Sequence, residues 1–128
     1  MANLIQYGEQ PRVARGDGIE SVALTPQPFS DQGFIMGTTS FPPGTGLRLH
    51  YHNCIEQVTV LEGEARAELN GREFTVCAYD TTQVPVGEPH RFINMGEGTM
   101  RILWVYGAVH VTRTFPDTGE TVDQFHPQ

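Results

Sequence analysis

Apolar residues in this chain do not recur at the spacing of an amphipathic helix over any long window. Short runs instead alternate apolar and polar residues and end at Gly, Pro, Asn or Asp, which is typical of strands. Strands that follow one another every roughly 8 to 12 residues indicate a sandwich or a barrel, so we predict an all-β fold. The predicted strands are Ile19–Thr25, Gly33–Phe41, Leu47–His52, Glu56–Leu61, Ala65–Leu69, Glu73–Val76, Thr82–Val86, His90–Asn94, Met100–Tyr106 and Val109–Phe115.

The length of 128 residues corresponds to a single domain with one hydrophobic core. We expect the body of this domain to span residues 18–115. Residues 1–17 form an N-terminal arm and residues 116–128 a C-terminal tail, and both are expected to cover the body or to reach a partner. The clearest turn is Asn70-Gly71, a pair that favours a type I′ hairpin between its flanking strands.

Charge and composition exclude several classes of function. The formal net charge is −7, which argues against nucleic-acid binding and against attachment to a membrane surface. No apolar run is long enough to cross a membrane, and the N-terminus lacks the pattern of a secretory signal. All eight basic residues are Arg, so chemistry that needs a lysine Schiff base is excluded. With two cysteines and no scaffold of disulfides, we expect a cytoplasmic protein.

Metal-ligand side chains cluster between residues 50 and 56. His50 and His52 lie two apart on a predicted strand, so both side chains leave the same face and can reach one ion. Glu56 follows a short bend and begins the next strand, from which its carboxylate can point at the same centre.

A third histidine comes from a separate stretch of the chain. Pro85 and Gly87 form a turn that delivers His90 at the start of a strand. A barrel would bring this strand across from the first pair of ligands. We therefore predict a site of three imidazoles and one carboxylate: His50, His52, Glu56 and His90.

These two stretches resemble the motifs of the cupin superfamily. The first family motif, G-x5-H-x-H-x3-E-x6-G, is matched by Gly44, His50, His52, Glu56 and Gly63. The end of the second motif, P-x-G-x2-H-x3-N, is matched by Pro85, Gly87, His90 and Asn94. Where the family has a further glycine, this chain has Tyr79, a change that we assign to the local turn. The resemblance implies a double-stranded β-helix, or jelly-roll barrel, in a small single-domain monocupin.

The ligand set would suit one divalent transition metal, namely Fe, Mn, Ni, Co, Cu or Zn, and does not choose among them. About two open positions would remain on a six-coordinate ion, enough for a bidentate substrate. Resemblance to the family implies an enzyme of the oxygenase, isomerase, lyase or cyclase type that acts on a small, oxygen-rich organic molecule. The alternative is a cupin that binds or senses a small molecule with its metal and catalyses nothing.

Other residues are candidates for the surroundings of the metal. Arg48 shares the strand parity of His50 and could clamp a substrate carboxylate, or else lie at the rim in water. Tyr106 could be an acid or a hydrogen-bond donor, or a core residue. The candidate pocket residues, which could equally be plain core, are Phe34, Met36, Phe92 and Trp104.

Three further expectations stay open at this stage. Cys54 is either a reactive thiol or a small buried filler, with the filler favoured. His110 lies outside both motifs and is expected near the site or on the surface rather than as a ligand. Because jelly rolls leave sheet edges exposed and cupins often dimerise, we expect a homodimer formed by the arm and by the tail residues Val122 and Phe125.

Overall fold

The computed structural model describes residues 2–125 and consists almost entirely of strands. A single turn of 3₁₀ helix at Tyr7–Glu9 precedes them. The strands are β1 Val13–Gly16, β2 Ile19–Ala23, β3 Ile35–Phe41, β4 Tyr51–His52, β5 Glu56–Glu62, β6 Glu64–Leu69, β7 Arg72–Cys77, β8 Thr81–Val84, β9 His90–Asn94, β10 Met100–Tyr106, β11 Thr112–Thr114 and β12 Thr121–Asp123. Across residues 2–125, no helix has the length and apolar character needed to cross a membrane.

Antiparallel pairing arranges the strands as a jelly roll. One sheet has six strands in the order β1-β2-β3-β10-β5-β8. Two three-stranded sheets, β12-β11-β4 and β7-β6-β9, are joined by isolated bridges between His50 and His90 and between Gly46 and Ile93. The inward side chains of the strands form one apolar cluster. The predicted all-β jelly-roll fold is therefore confirmed.

Strand β10 shows why the sequence pattern predicts this fold so well. Its burial alternates residue by residue, with Met100, Ile102, Trp104 and Tyr106 facing the core. β10 pairs with β3 on one side and with β5 on the other, so it lies at the centre of the large sheet. Such a strand buries one face completely, and this fixes its register.

Two turns follow from residue types that tolerate a left-handed backbone. Asn70 and Gly71 have φ values of 50° and 82°, and they connect β6 to β7 as predicted. Gly63, between β5 and β6, has a φ of 84°, and a Cβ there would lie 2.9 Å from the carbonyl oxygen of Thr99. A larger residue at position 63 would therefore be both strained and obstructed.

Tyr79 occupies the position where the resemblance expects a glycine, and its backbone is left-handed with a φ of 73°. Its side chain is exposed, so bulk meets no obstacle there. The turn is closed by bonds from the Tyr79 amide to the Val60 carbonyl and from the Cys77 amide to the Asp80 carboxylate. A tyrosine thus adopts here a left-handed conformation that glycine adopts more readily.

Asn94, at the end of β9, ties together the loops on one end of the barrel. Its amide nitrogen donates to the carbonyl oxygens of Phe41 and Gly98, at 2.9 and 2.8 Å. Its amide oxygen accepts from the backbone of Gly96 at 2.9 Å. A buried amide that satisfies three backbone groups fixes the chain around it, which explains the asparagine of the second motif.

The segments predicted as arm and tail are more structured than expected. Residues 13–16 form β1 at the edge of the large sheet, paired with β2. Thr121–Asp123 form β12, which pairs with β11. Both strands lie over one mouth of the barrel, because Ala14 and Val122 line the same surface pocket. Residues 1 and 126–128 of the predicted segments lie outside the described residues.

Candidate metal centre

The candidate ligands come from three strands that converge inside the barrel. His52 lies on β4, and His50 directly precedes β4 and bridges to His90, the first residue of β9. Glu56 is the first residue of β5, after the short bend at residues 53–55. All four side chains are buried. The fold therefore brings together the candidate ligands from the two separate stretches of the sequence, residues 50–56 and residue 90.

Distances among these groups are short. The nearest ring nitrogens of His50, His52 and His90 all lie within 4.8 Å of one another. Their ring centroids are separated by 4.6 to 5.1 Å. Glu56 Oε1 lies 3.0 Å from His90 Nε2 and 3.5 Å from His52 Nε2. Three ring nitrogens thus face one another, and the Glu56 carboxylate lies against two of them.

Backbone carbonyls orient all three imidazoles. Nδ1 of His50 lies 2.6 Å from the carbonyl oxygen of Arg48, and Nδ1 of His90 lies 2.8 Å from that of Glu88. Nδ1 of His52 lies 2.9 Å from the carbonyl oxygen of Thr112. Because a carbonyl only accepts, each Nδ1 carries a proton. Nε2 of His50 and Nε2 of His52 are then left with a lone pair, whereas Nε2 of His90 is hydrogen-bonded to Glu56 Oε1 at 3.0 Å.

Asn53 reinforces this arrangement next to His52. Its side-chain oxygen accepts from the amide of Thr112 at 2.9 Å, and its side-chain nitrogen donates to the carbonyl of His110 at 2.9 Å. The bend after β4 is thereby attached to the strand whose carbonyl orients His52. The position of that ring depends on two strands at once.

The histidines differ in their affinity for a proton. Burial lowers the pKa of His50 well below its ordinary value, and the neighbouring His90 and His52 lower it further. Burial also lowers the pKa of His52, against the opposing charge of Glu56. The pKa of His90 is raised because its hydrogen bond to Glu56 and the charge of that carboxylate outweigh burial. Two rings are therefore neutral at neutral pH, the form in which imidazole binds metals.

A metal ion fits this donor set. Nε2 of His52 is buried and has no hydrogen-bond partner among residues 2–125, an arrangement that is costly unless something else occupies it. Three imidazole nitrogens and a carboxylate are a common donor set for first-row transition metals. His50, His52, His90 and Glu56 could together hold one such ion.

A small inner cavity adjoins the ligands. Its volume is about 30 Å³, enough for one or two water molecules. Its wall is lined by Ser21, Thr39, Phe41, Leu47, His50, Glu56, His90, Phe92, Ile102, Trp104, Tyr106 and Gln124. Trp104 Nε1 donates to Thr39 Oγ1 at 2.9 Å, and Thr39 Oγ1 lies 2.8 Å from Ser21 Oγ. The far wall is therefore polar at a few fixed points and otherwise apolar.

Tyr106 is buried between the metal ligands and the apolar wall. Its ring packs edge-on against His52 with a centroid distance of 4.8 Å. Burial raises the pKa of Tyr106 well above its ordinary value, and the charge of Glu56 adds to this. The hydroxyl therefore keeps its proton at neutral pH and is available as a donor beside the carboxylate.

A much larger outer pocket opens on the other side of His50. Its volume is about 440 Å³, within the range of small-molecule sites. It is lined by Ala14, Arg15, Gly16, Leu47, Arg48, His50, Arg113, Phe115, Glu120, Val122 and Gln124. Leu47, His50 and Gln124 border both the outer pocket and the inner cavity. These three side chains separate the metal centre from the barrel mouth.

Predicted site residues are distributed unevenly around this centre. Phe92, Trp104 and Tyr106 line the inner cavity. Arg48 is exposed at the rim of the outer pocket, where it bonds Asp117 at 2.6 Å and lies over the ring of Phe115. The prediction that Arg48 faces inward is wrong, because residues 47–49 are not part of a regular strand.

Contrary to the pocket prediction, Phe34 and Met36 do not line the cavity beside the candidate ligands. Both border a surface pocket formed with residues 24–32, away from the metal centre, and Phe34 is 45% exposed. The reason is the parity of β3. Gly37 is paired with Trp104, and a Cβ on Gly37 would lie 2.5 Å from the indole ring. The odd-numbered residues of β3 therefore face inward, and the even-numbered ones face out.

Cys54 and His110 lie near the site without entering it. Cys54 is buried, and burial raises the pKa of its thiol to about 11, so it is a protonated filler at neutral pH. His110 is exposed and borders a shallow pocket beside Phe29 and Phe125. The placements agree with the filler and surface alternatives.

Arg15 and Arg113 in the outer pocket were missed by the sequence analysis. Arg15 lies on β1, in a segment predicted as a loose arm, and Arg113 lies on β11. Arg113 shares strand parity with the buried Val111 and Phe115, and this was the available indication. Arg15 gave no such indication, because only the tertiary fold brings β1 to the barrel mouth.

The chain belongs to the cupin family. The family model described as "Cupin domain" matches residues 37–106, more than half of the chain. Polyketide synthase CurC of Streptomyces cyaneus is 30% identical over 96 residues, a match that covers 74% of this chain. The chain spans only 62% of the length of CurC.

Solved structures of other cupins share this fold. The polyketide cyclase RemF from Streptomyces resistomycificus has a TM-score of 0.74 at 22% identity, covering 100% of this chain and 89% of RemF. A protein from Thermotoga maritima described as a predicted oxalate decarboxylase has a TM-score of 0.73 at 23% identity, covering 83% of this chain and 99% of that one. At these identities the likeness is one of fold.

Proposed function

We propose that this protein is a metal-dependent cupin enzyme in which His50, His52, Glu56 and His90 hold one divalent transition metal. The observation that carries the proposal is the buried Nε2 of His52, which has no hydrogen-bond partner within residues 2–125 and lies close to the ring nitrogens of His50 and His90 and to the Glu56 carboxylate. When bound, the ion would supply a Lewis acid next to the inner cavity. Fe, Mn, Ni, Co, Cu and Zn all suit the donors.

The substrate class proposed is a small, oxygen-rich organic molecule. The reaction could be of the oxygenase, isomerase, lyase or cyclase type, and the relatives favour cyclisation. CurC is named a polyketide synthase, and RemF, which covers the whole chain, is named a polyketide cyclase. In such a ring closure, a carbon next to one carbonyl loses a proton and adds to a second carbonyl carbon, whose oxygen takes up a proton. The hydroxyl formed then leaves as water with a proton from the adjacent carbon, which gives the aromatic ring.

Tyr106 is proposed as the group that holds and donates a proton in this reaction. Its hydroxyl is buried at the cavity wall, is protonated at neutral pH and lies on the strand paired with Glu56. Phe92 and Trp104 limit the space beside it to a cavity that holds no more than one or two water molecules. Arg48, the other candidate, lies at the mouth with its charge held by Asp117, so we assign it no catalytic role.

Metal content and turnover together test the proposal. Protein purified without added metal and then loaded with one ion at a time is incubated with a linear poly-β-ketone, and the aromatic product is followed by absorbance. Oxygen uptake is recorded in parallel, and cyclisation without uptake is the expected result. The Tyr106→Phe variant, which keeps the ring, should bind metal normally and lose about 10² or more in kcat. Protein that takes up no divalent ion contradicts the proposal.

A second function is favoured by the size of the inner cavity. A volume of about 30 Å³ leaves no room for a whole substrate beside the ligands. A cupin that binds or senses a molecule in the outer pocket and catalyses nothing would need no more space. This alternative predicts stoichiometric metal and ligand binding with no turnover and no oxygen uptake.

We also propose that the protein is a homodimer formed through the N-terminal arm. Leu4 in this arm is 82% exposed, an unfavourable position for a leucine that nothing covers. The tail makes other contacts, since Phe125 packs on Phe29 with a centroid distance of 5.0 Å and lies near Trp104. Light scattering should give twice the mass of the chain for the full-length protein and half of that value for Leu4→Asp.

A further inference from the structure

We infer that the outer pocket is a binding site for an organic anion, held by the guanidinium groups of Arg15 and Arg113. This inference rests on the proposed function, because it names the charge of the molecule on which the metal centre would act. Both arginines line the 440 Å³ pocket that borders His50. Neither of them forms an ion pair with any carboxylate in the described part of the chain.

The guanidinium of Arg15 is fixed by one hydrogen bond, but not all of its donors have partners. Its Nε donates to Ser21 Oγ at 3.2 Å, and Ser21 is bonded to Thr39, which accepts from Trp104. This chain of hydrogen bonds attaches the guanidinium to the wall of the inner cavity. Nη1 of Arg15 is nevertheless buried, with no hydrogen-bond partner among residues 2–125. A buried N–H group of a cation without a hydrogen-bond partner is costly, and a bound anion would supply the missing acceptor.

Arg113 approaches the same pocket from the opposite side of the mouth. Its Nη1 contacts the carbonyl oxygen and the side-chain oxygen of Gln124, at 3.5 and 3.3 Å, and Gln124 is buried. These contacts fix one edge of the guanidinium and leave its other donors free. Burial and the repulsion from Arg113 lower the pKa of Arg15 to about 10, so Arg15 remains cationic at neutral pH. Burial also lowers the pKa of Arg113.

The positive charge of this pocket contrasts with the whole chain, which carries −7. Most other arginines are neutralised: Arg48 pairs with Asp117, and Arg91 pairs with Glu68. Glu120 contributes one carboxylate to the pocket lining, and it forms no ion pair with either arginine. Two desolvated cations that repel each other persist where a bound anion offsets the repulsion.

The remaining lining indicates the body of the ligand. Leu47, Phe115 and Val122 give the pocket apolar walls, and Phe115 lies beneath the guanidinium of Arg48 at 3.9 Å. A planar guanidinium accepts two oxygens of a carboxylate or a phosphate side by side. The ligand class is therefore a small apolar or aromatic molecule that bears one carboxylate or phosphate. Its apolar part would lie against Leu47 and His50, next to the inner cavity.

Calorimetric titration of the metal-loaded protein with matched probes tests this site. The probes are 2-naphthoate, 2-naphthyl phosphate and the neutral 2-naphthamide. We expect one saturable site for at least one anion and an affinity at least tenfold lower for the amide. Arg15→Gln and Arg113→Gln should each weaken anion binding at least tenfold. Arg113→Lys keeps the charge but loses the planar guanidinium that can donate two parallel hydrogen bonds. Its affinity for the anions should lie between those of Arg113→Gln and the unaltered protein.

Arg72→Gln is the control, because Arg72 lies on β7 beside Phe74 and does not line the outer pocket. Its affinity for the probes should not change, and thermal unfolding verifies that each variant is folded. Equal affinity for the amide and the anions, or unchanged anion affinity in both glutamine variants, would overturn the inference. Repeating the titrations after metal removal separates the two proposals. Anion binding by a protein that takes up no metal supports this site and contradicts the metal enzyme, whereas metal uptake and turnover without anion binding do the reverse.

Discussion

The inner cavity and the outer pocket share His50 as a wall and differ in almost every other respect. The inner cavity is formed by long central strands, its polar atoms are paired with few exceptions, and its volume is about 30 Å³. The outer pocket is formed by β1, β11 and β12 near the chain ends, and its volume is about 440 Å³. Under the functions proposed above, the inner region would hold an ion and the outer region would admit a molecule.

This difference indicates where the protein can tolerate change. Central strands such as β10 are bonded on both sides, so a substitution in the inner cavity disturbs several neighbours at once. β12 is bonded to β11 alone, and the residues of β11 are only partly buried. Substitutions in the outer pocket should therefore affect binding more than folding, and those in the inner cavity should affect both.

The largest expected effect is on metal content. His90→Ala removes a donor and leaves Glu56 without its 3.0 Å partner, so the metal measured by mass spectrometry should fall from one equivalent to near zero. Arg113→Gln, in the outer pocket, should retain one equivalent. Equal losses in both variants would mean that the two regions are not separate.

Gly37→Ala tests the packing of the inner wall. A Cβ at position 37 would lie 2.3 Å from the carbonyl oxygen of Val22 and 2.5 Å from the ring of Trp104. We expect urea unfolding to show a loss of about 3 kcal/mol, the upper range for overpacking. Gly98→Ala is the control, because no atom lies within 4 Å of the added group, and its stability should change by less than about 1 kcal/mol. A small effect at position 37 would mean that the indole has room to move.

Stability of the metal-free protein should fall as the pH drops from 7 to 5. The pKa values of His50 and His52 are lowered in the folded state, mainly by burial, so the unfolded chain binds protons first. The folded state loses stability as the pH falls below about 6.5, the ordinary histidine value. His90 acts in the opposite direction, because its pKa is raised by Glu56.

Urea midpoints at the two pH values measure this effect. The His50→Gln variant should show a smaller difference between pH 7 and pH 5 than the unaltered protein. A midpoint that rises on acidification would contradict the assignment and would mean that His90 dominates. Arg72→Gln, which removes a charge on β7 away from the three rings, should reproduce the behaviour of the unaltered protein.

Arg48→Gln should have the smallest effect. Arg48 lies at the rim with its charge neutralised by Asp117, in an exposed ion pair that water and salt screen. We expect the unfolding midpoint to stay within error and the affinity for 2-naphthoate to change less than about threefold. A tenfold loss would place Arg48 with Arg15 and Arg113 and would enlarge the proposed anion site.

Sequence alone predicted the inner region well for a physical reason. Strand alternation and motif spacing are local properties, and they predict His50, His52, Glu56 and His90 as neighbours, which is how the structure arranges them. The turn at Asn70-Gly71 is likewise encoded by its own two residues. Features set by neighbours along the chain are therefore recoverable from it.

The remaining features depend on contacts between distant segments. The parity of β3 is set by Trp104, which leaves room only for a glycine at position 37, so Phe34 and Met36 face away from the site. Arg48 was predicted to face inward as part of a strand from Leu47 to His52, but the observed strand begins at Tyr51. Arg15 reaches the mouth only because β1 pairs with β2. These are tertiary effects, which a local pattern does not contain.

The acceptors that orient the three imidazoles belong to the main chain at positions 48, 88 and 112. Every amino acid has such an oxygen, so no single replacement at these positions deletes it. The side chains at these positions, one of which lies at the mouth, can therefore be substituted while the orientation of the three rings is retained. If the rings hold a metal as proposed, such a scaffold could change its ligand preference in small steps while its metal site stays intact.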